Sequence, residues 1–176
     1  MDSKKITLRE LCRAGIFTAV IFICAQISIP MPYGVPMTLQ TLAIPLAGVL
    51  LGQKNGTLSV ISYIMLGACG VPVFAGFAGG LGAVFGPTGG FILSFPVMAA
   101  LAGAGAKRNN KFWLVCGILA GTVINYLCGM YFFSFITACD IKTAFAACVL
   151  PFIPTAIIKI AIAAVFGGMI KNKIVI

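Results

Sequence analysis

Histidine is absent from this chain, and only three acidic residues, Asp2, Glu10 and Asp140, occur among its 176 residues. A zinc centre or a two-carboxylate hydrolytic site needs several such groups in one place, so the composition excludes both and argues against an enzyme. Charged residues of either sign make up only 9% of the chain, against roughly 25% in soluble domains. A water-soluble fold would lack a polar surface. The seven cysteines (Cys12, Cys24, Cys69, Cys116, Cys128, Cys139 and Cys148) form no CxxC pair and lie mostly in apolar segments. They read as small hydrophobes, not as a disulfide framework. Gly86-Pro87-Thr88-Gly89-Gly90 lacks the Gly-Lys-Ser/Thr ending of a phosphate loop, and no ATPase signature occurs elsewhere. Energy for active transport would have to come from ion coupling or from another subunit. Ion coupling would leave a membrane carboxylate or a repeat pair, and neither is seen.

What is abundant is apolar sequence, with 61% hydrophobic residues. A spanning helix needs about 20 residues. The first such run is Leu11 to Ile29, ended by the prolines and glycine of Pro30-Met31-Pro32-Tyr33-Gly34-Val35-Pro36. It is too long for a cleaved signal peptide and has no small-residue cleavage signature. Shorter runs, Thr38 to Leu51 and Thr57 to Cys69, flank a polar turn at Gly52-Gln53-Lys54-Asn55-Gly56. Pro72 to Gly90 is apolar but too rich in glycine for a stable helix. Irregular backbone cannot face lipid, so this segment is expected outside the bilayer or packed on protein as a lid. Phe91 to Ala106, Phe112 to Phe135 and Cys148 to Ile170 complete six helices, with Lys107 to Lys111 and a connection carrying Asp140 and Lys142 between them.

The basic residues support six crossings in a single membrane domain spanning residues 1–176. With an inner amino terminus, Lys4, Lys5, Arg9, Arg13, Lys54, Lys107, Arg108, Lys111, Lys171 and Lys173 all fall at inner ends, ten of the twelve Lys and Arg. This is the positive-inside pattern, with both termini cytoplasmic. It ties the net charge of +9 to anionic lipid headgroups and not to nucleic acid.

Lys159 breaks that pattern. It stands eleven residues from both Cys148 and Ile170, about 16 Å along a helix from either end. A lysine stem does not span that distance, and an ammonium in hydrocarbon costs about 3 kcal/mol or more. With no acidic partner within a helix, an anionic ligand, most simply a carboxylate, is the expected neighbour, with a structural ion pair or water contact as the alternative. Pro154-Thr155, one turn earlier, is a place for the helix to open. Gln40 and Thr38 offer hydrogen bonds to a polar ring or amide, although Thr38 reads equally well as a helix cap. Asn125 fits either ligand contact or helix–helix glue, and Tyr126 a stacking surface with a polar handle. Gly15 and Ala19 form a small-xxx-small pair that lets another helix approach.

Several segments together resemble the BioY biotin-uptake proteins, the substrate-binding S components of energy-coupling-factor transporters. They are Val35-Pro36-Met37-Thr38-Leu39-Gln40, Gly70-Val71-Pro72-Val73-Phe74, Gly79-Gly80 through Gly86-Pro87-Thr88-Gly89-Gly90, and Ile153-Pro154 leading to Lys159. The resemblance runs over most of the chain. It implies an all-α bundle of six transmembrane helices in a prokaryotic cytoplasmic membrane, with a biotin pocket beneath the first and third loops. It also implies partners: a transmembrane coupling subunit, docked on the face of Gly15 and Ala19, and two ATPases that power inward movement. Gln40, the Gly79-Gly80 loop, Tyr126 and Lys159 match regions that line or close the family's pocket. One departure stands out, because the family commonly carries an acidic residue three positions before the lysine of the sixth helix, where this chain has Ala156. The expectation is a high-affinity biotin-capturing membrane subunit without a cofactor or covalent chemistry. The competing expectations are a capture subunit for another small carboxylated or heterocyclic nutrient, and a structural subunit with no ligand.

Overall fold

The computed structural model describes residues 7–108 and 110–173. Asp2, Lys4 and Lys5, and with them the expected position of the two chain ends, lie outside the described residues, as do the side chains of Lys171 and Lys173. The chain is helical: α1 (Leu8–Gln26), α2 (Gln40–Ala68), a short α3 (Leu81–Val84), α4 (Gly89–Lys107), α5 (Lys111–Thr137), α6 (Ile141–Cys148) and α7 (Ile153–Lys173).

α1 starts three residues before the expected Leu11. Thr7 accepts from the amide of Glu10, and the Glu10 carboxylate returns the bond to the Thr7 amide, closing a capping box. It stops at Gln26 and not at Ile29, because Ser28–Ile29 pairs with Met37–Thr38 as a two-residue antiparallel ladder. The proline-rich segment between them is thus the loop of a small hairpin, and it carries Thr38 back to the end of α1. Three prolines in that loop supply no ladder hydrogen bonds, which confines pairing to two residues on each side.

α2 holds two antiparallel arms. Gly52 adopts φ 80°, ψ 168°, outside the helical region and natural only for glycine, and the chain reverses there. The reversal is tight: a Cβ on Gly56 would lie 2.6 Å from the carbonyl oxygen of Ala47, and Gln40 reaches Tyr63 across the two arms. Lys54, Asn55 and Gly56 are therefore helical, and the expected five-residue turn shrinks to a single glycine.

α4 packs between α2 and α5, α1 lies on α2, and α7 closes the bundle against α2 and α5. Small residues set the close approach of these helices. A Cβ on Gly48 would lie 2.1 Å from the Ala99 carbonyl oxygen, one on Gly103 2.6 Å from Gln53, and one on Gly105 2.4 Å from the Trp113 carbonyl oxygen. α5 shows the sorting expected in lipid. Val115, Leu119, Val123, Leu127, Tyr131 and Phe135 repeat every fourth residue on its outer face, whereas Ile118, Gly121, Thr122, Asn125 and Gly129 face inward. With no hydrophobic drive between helices in a bilayer, small and polar residues belong inside and large apolar ones outside.

Gly89–Lys107, Lys111–Thr137 and the stretch Ile141–Ile170 are long and apolar enough to cross a membrane, by length and composition. The last differs from the expected single helix from Cys148. It contains the separate amphipathic α6, capped by Asp140, then a 3-10 turn at Leu150–Phe152 around Pro151, then α7. The Asp140 carboxylate accepts from the hydroxyl and amide of Thr143, which, with the hydroxyl contributing most, holds its pKa below the ordinary carboxylate value of 3.8.

Pro72 to Gly90 packs on protein. Phe74 and Ala78 form an isolated bridge, the amide of Gly80 donates to the Gly67 carbonyl at 2.7 Å, and the phenyl ring of Phe74 fills the space beside Gly67. The lid expectation fits this placement.

Candidate functional site: a cavity around Lys159

A cavity of about 310 Å³ opens where the first arm of α2, α4, α5 and α7 meet beneath the hairpin loop and the glycine-rich segment. That is the lower end of the range for small-molecule sites, about 300–1,000 Å³. Its walls are largely aromatic: Phe74, Phe91, Phe95, Tyr126 and Phe152 all face it. Phe91 and Tyr126 meet edge to face with centroids 6.5 Å apart, and Tyr126 and Phe152 lie 6.4 Å apart. Such contacts fix the ring planes, inclined at 73° and 55° to one another, and give an apolar wall for a compact ring.

The polar side chains on the cavity wall are those of Thr38, Gln40, Thr41, Thr88, Tyr126 and Lys159. Lys159 is buried, with 9% of its surface exposed. Its Nζ donates to the backbone carbonyl of Thr38 at 2.7 Å and to the hydroxyl of Thr41 at 3.0 Å. Neighbouring groups thus complete part of its surroundings, where the sequence pointed to an anionic ligand, with an ion pair or water contact as the alternative. Both partners are neutral, and among the described residues they take two of the three ammonium donors. No carboxylate lines the cavity among the described residues. Ala156, one turn before Lys159 on the same face of α7, is buried and contributes only a methyl group. The site is therefore cationic and uncompensated, and a low-dielectric cavity of that sign favours an anionic guest.

Gln40 is held on both sides. Its Oε1 accepts from the Thr38 hydroxyl at 3.1 Å, and its Nε2 donates to the Tyr63 hydroxyl at 2.7 Å. Tyr63 in turn donates to the Val73 carbonyl at 2.9 Å. The Thr38 hydroxyl also accepts from the Gln40 amide, but the N-cap of α2 is Leu39 and Thr38 belongs to the ladder, so Thr38 is not the helix cap.

The structure brings Gln40, Tyr126 and Lys159 to one cavity. It does not bring Asn125, Gly79 or Gly80 to the wall. Asn125 is fully buried between α4 and α5, where its Nδ2 donates to the Phe91 carbonyl and the Ser94 hydroxyl. That is helix–helix glue, and it leaves Oδ1 without a partner. Gly79 packs against the Val71 carbonyl, and Gly80, at φ 87°, turns the chain into α3. Both shape the segment whose neighbours Phe74, Ala75 and Ala78 do line the cavity. The Thr155 hydroxyl bonds back to the Phe152 carbonyl, in the 3-10 turn that precedes α7. Gly15 and Ala19 are exposed on α1, with nothing within 4 Å of a Cβ placed on Gly15.

Sequence reasoning missed Thr41, Tyr63 and Gln26. Each is a polar group within an apolar helix, the same signal that singled out Lys159. The aromatic walls had no signal, because a phenylalanine facing a cavity and one facing lipid look alike in sequence.

The model of the BioY family matches residues 1–174. The chain is 40% identical over 166 residues to a biotin transporter BioY of Thermotoga maritima, covering 94% of this chain and 97% of that protein. It is 39% identical to a probable biotin transporter BioY of Pyrococcus horikoshii, covering 94% of this chain and 98% of that one. Its fold superposes with a TM-score of 0.86 on the crystal structure of an S component for biotin from an ECF-type ABC transporter. That likeness is at 28% identity and covers 98% of this chain and 95% of the other. On a family match running nearly end to end, this all-α bundle with a cationic, aromatic-walled cavity belongs to the BioY family.

Proposed function

We propose that this chain is a high-affinity biotin-binding membrane subunit that captures the vitamin for uptake and works with an ATP-driven energy-coupling module. The observation that carries the reading is the buried ammonium of Lys159 on the cavity wall with neutral partners only. Biotin supplies what the site lacks. Its carboxylate matches the uncompensated cation, with Gln40 and Thr38 beside it as further hydrogen-bonding groups, and its thioether ring fits against the apolar wall that carries the aromatic side chains. No covalent step is involved.

In this reading the chain crosses the membrane six times, through α1, the two arms of α2, α4, α5 and α7, with both termini cytoplasmic. The Gly52 turn and the Lys107–Lys111 connection then face inward with their basic residues, and the cavity opens outward beneath the hairpin and the Gly79-Gly80 segment. The open surface at Gly15 and Ala19 is where a transmembrane coupling subunit docks, with its ATPases beyond. Gly79 and Gly80 act on the ligand through the loop they shape, and Asn125 through the α4–α5 contact.

One observation favours a second reading. Ala156 leaves the cavity without the carboxylate common in the family, which removes an acceptor for a ureido N–H and admits a different small carboxylated nutrient. Competition binding on the purified protein decides between them: labelled biotin should be displaced by unlabelled biotin far below the concentration needed for any other vitamin. Failure of that order ends the biotin assignment. Lys159→Met should weaken biotin binding by about a hundredfold or more while the folded protein is retained. Unchanged affinity would leave a structural subunit as the better description.

A further inference from the structure

The segment Val73–Ala78, three of whose residues line the cavity, is tied to the bundle by two side chains that are not on the cavity wall. Gln26, the last residue of α1, uses both ends of its amide. Nε2 donates to the carbonyls of Val73 at 3.3 Å and Phe74 at 3.1 Å, and Oε1 accepts from the amide of Phe77 at 3.0 Å. The segment's own closure, from the Phe74 amide to the Ala78 carbonyl, uses neither of the groups that Gln26 takes at Phe74 and Phe77. Gln26 thus serves as the missing strand of a one-sided bridge. Tyr63 holds the same segment from within, through its hydroxyl on the Val73 carbonyl at 2.9 Å and its ring 5.6 Å from that of Phe74.

The tether also bears a strained residue. Phe77 has φ 57°, in the left-handed region that a bulky side chain rarely adopts. Its ring is 65% exposed and touches Phe22 on α1 at a centroid distance of 6.5 Å. Such a conformation persists only where the surroundings hold it. The Gln26 acceptor on the Phe77 amide, and the edge contact with Phe22 one turn earlier on α1, are what hold it here.

The hydrogen bonds continue past Tyr63. Its hydroxyl accepts from Gln40, Gln40 accepts from Thr38, and the Thr38 carbonyl accepts from Lys159. One unbroken series of donors and acceptors therefore runs from the cavity ammonium to the segment that roofs the cavity.

We infer that Gln26 and Tyr63 are positioning residues that latch the Val73–Ala78 segment over the cavity and thereby set how long a bound nutrient stays. The inference rests on reading the cavity as the nutrient site, but the latch itself is testable without ligand. The variants are Gln26→Leu, which keeps an aliphatic side chain and removes both hydrogen-bonding ends, and Tyr63→Phe, which keeps the ring and removes the hydroxyl. They are made in the full chain, in detergent or nanodiscs. Hydrogen–deuterium exchange of ligand-free protein should show faster exchange in the peptide covering residues 73–80, by about tenfold in Gln26→Leu, with α4 and α5 unchanged. Dissociation of labelled biotin should quicken by about tenfold and association by less than about threefold, because the roof fails to hold and the entrance is not narrowed.

Tyr63→Phe should shift both readouts in the same direction and covers the case in which Gln26→Leu does not fold. Unchanged exchange over residues 73–80 in a folded variant would overturn the latch, and so would faster exchange with an unaltered dissociation rate. If the wild-type protein binds no biotin, the biotin assignment falls, and the exchange measurement still decides whether the tether holds the segment.

Discussion

The two ends of this helical bundle are built from the same elements and differ in what stands between them. Toward the Gly52 reversal and the Lys107–Lys111 connection, the helices touch through backbone: Gly48 against Ala99, Gly56 against Ala47, and Gly105 against Trp113. Toward the hairpin, α4 and α5 still touch at Gly90 and Cys128, but α2 stands across a cavity from Phe91, Phe95 and Tyr126. Helix approach is set by side-chain size at the contact. Small residues close the gap between helices at one end, and aromatic side chains keep α2 off its neighbours at the other. Stability and binding are thereby divided along the bundle axis: the glycine end holds the helices together, and the aromatic end holds α2 away from α4 and α5 around a charge.

Substitutions at the two ends should consequently fail in different ways. The largest effect belongs to Gly48→Leu. A Cβ there already falls 2.1 Å from a backbone oxygen on α4, and no rotamer relieves a backbone clash, so size-exclusion chromatography should show loss of the monodisperse folded protein. A folded, stable Gly48→Leu protein would disprove the division.

At the other end, Phe95→Ala should cost less than the roughly 3–5 kcal/mol of a fully packed core phenylalanine, because one side of the ring already faces empty space. Ligand affinity should instead fall by about tenfold as the cavity widens. Melting temperature and binding measured on one preparation separate the two effects.

Asn125 lies behind the aromatic wall, so Asn125→Ala sharpens the boundary. It should lower stability by about 0.6 to 1.7 kcal/mol, the span measured for interhelical hydrogen bonds in membranes, and leave biotin affinity unchanged. A matching loss of affinity would return Asn125 to the site.

The smallest effect lies outside both ends, at Asp140. Its carboxyl pKa is lowered on folding by the bonds from Thr143. The stabilisation is therefore fully present above the ordinary value near 3.8 and disappears as pH falls through the lower folded value. Asp140→Ala should melt slightly below wild type at neutral pH, and the gap should close in acid. A gap independent of pH would show that the capping charge contributes nothing.

Much of the frame was legible from residue order. Apolar runs bounded by Lys, Arg, Gly and Pro located α1, α4 and α5 to within a few residues, because hydrocarbon thickness and the missing amide of proline act locally. Lys159 was legible for the same kind of reason: a charge far from either helix end is costly wherever the helix packs. Other features depended on partners distant in sequence. α6 escaped because eight residues of mixed polarity do not resemble a span. The two-residue ladder escaped because its pattern is too short to have a period. Gln26 and Tyr63 looked like ordinary polar residues in apolar helices until Val73, Phe74 and Phe77 were placed beside them. Asn125 fitted a ligand contact and helix–helix glue alike until Ser94 and the Phe91 carbonyl were found to use it.

Residue order by itself determined that this chain must live in a bilayer, where α1, α4 and α5 begin and end to within a few residues, and that one ammonium would be held within an apolar helix. Those outcomes follow from the transfer cost of each residue and need no knowledge of its neighbours. Tertiary structure alone decided that Lys159 meets Thr38 and Thr41, that five aromatic rings enclose a space beside it, and that Gln26 and Tyr63 fasten the segment above. Each of these is a contact between residues far apart in the chain, and its energy exists only once the helices have packed.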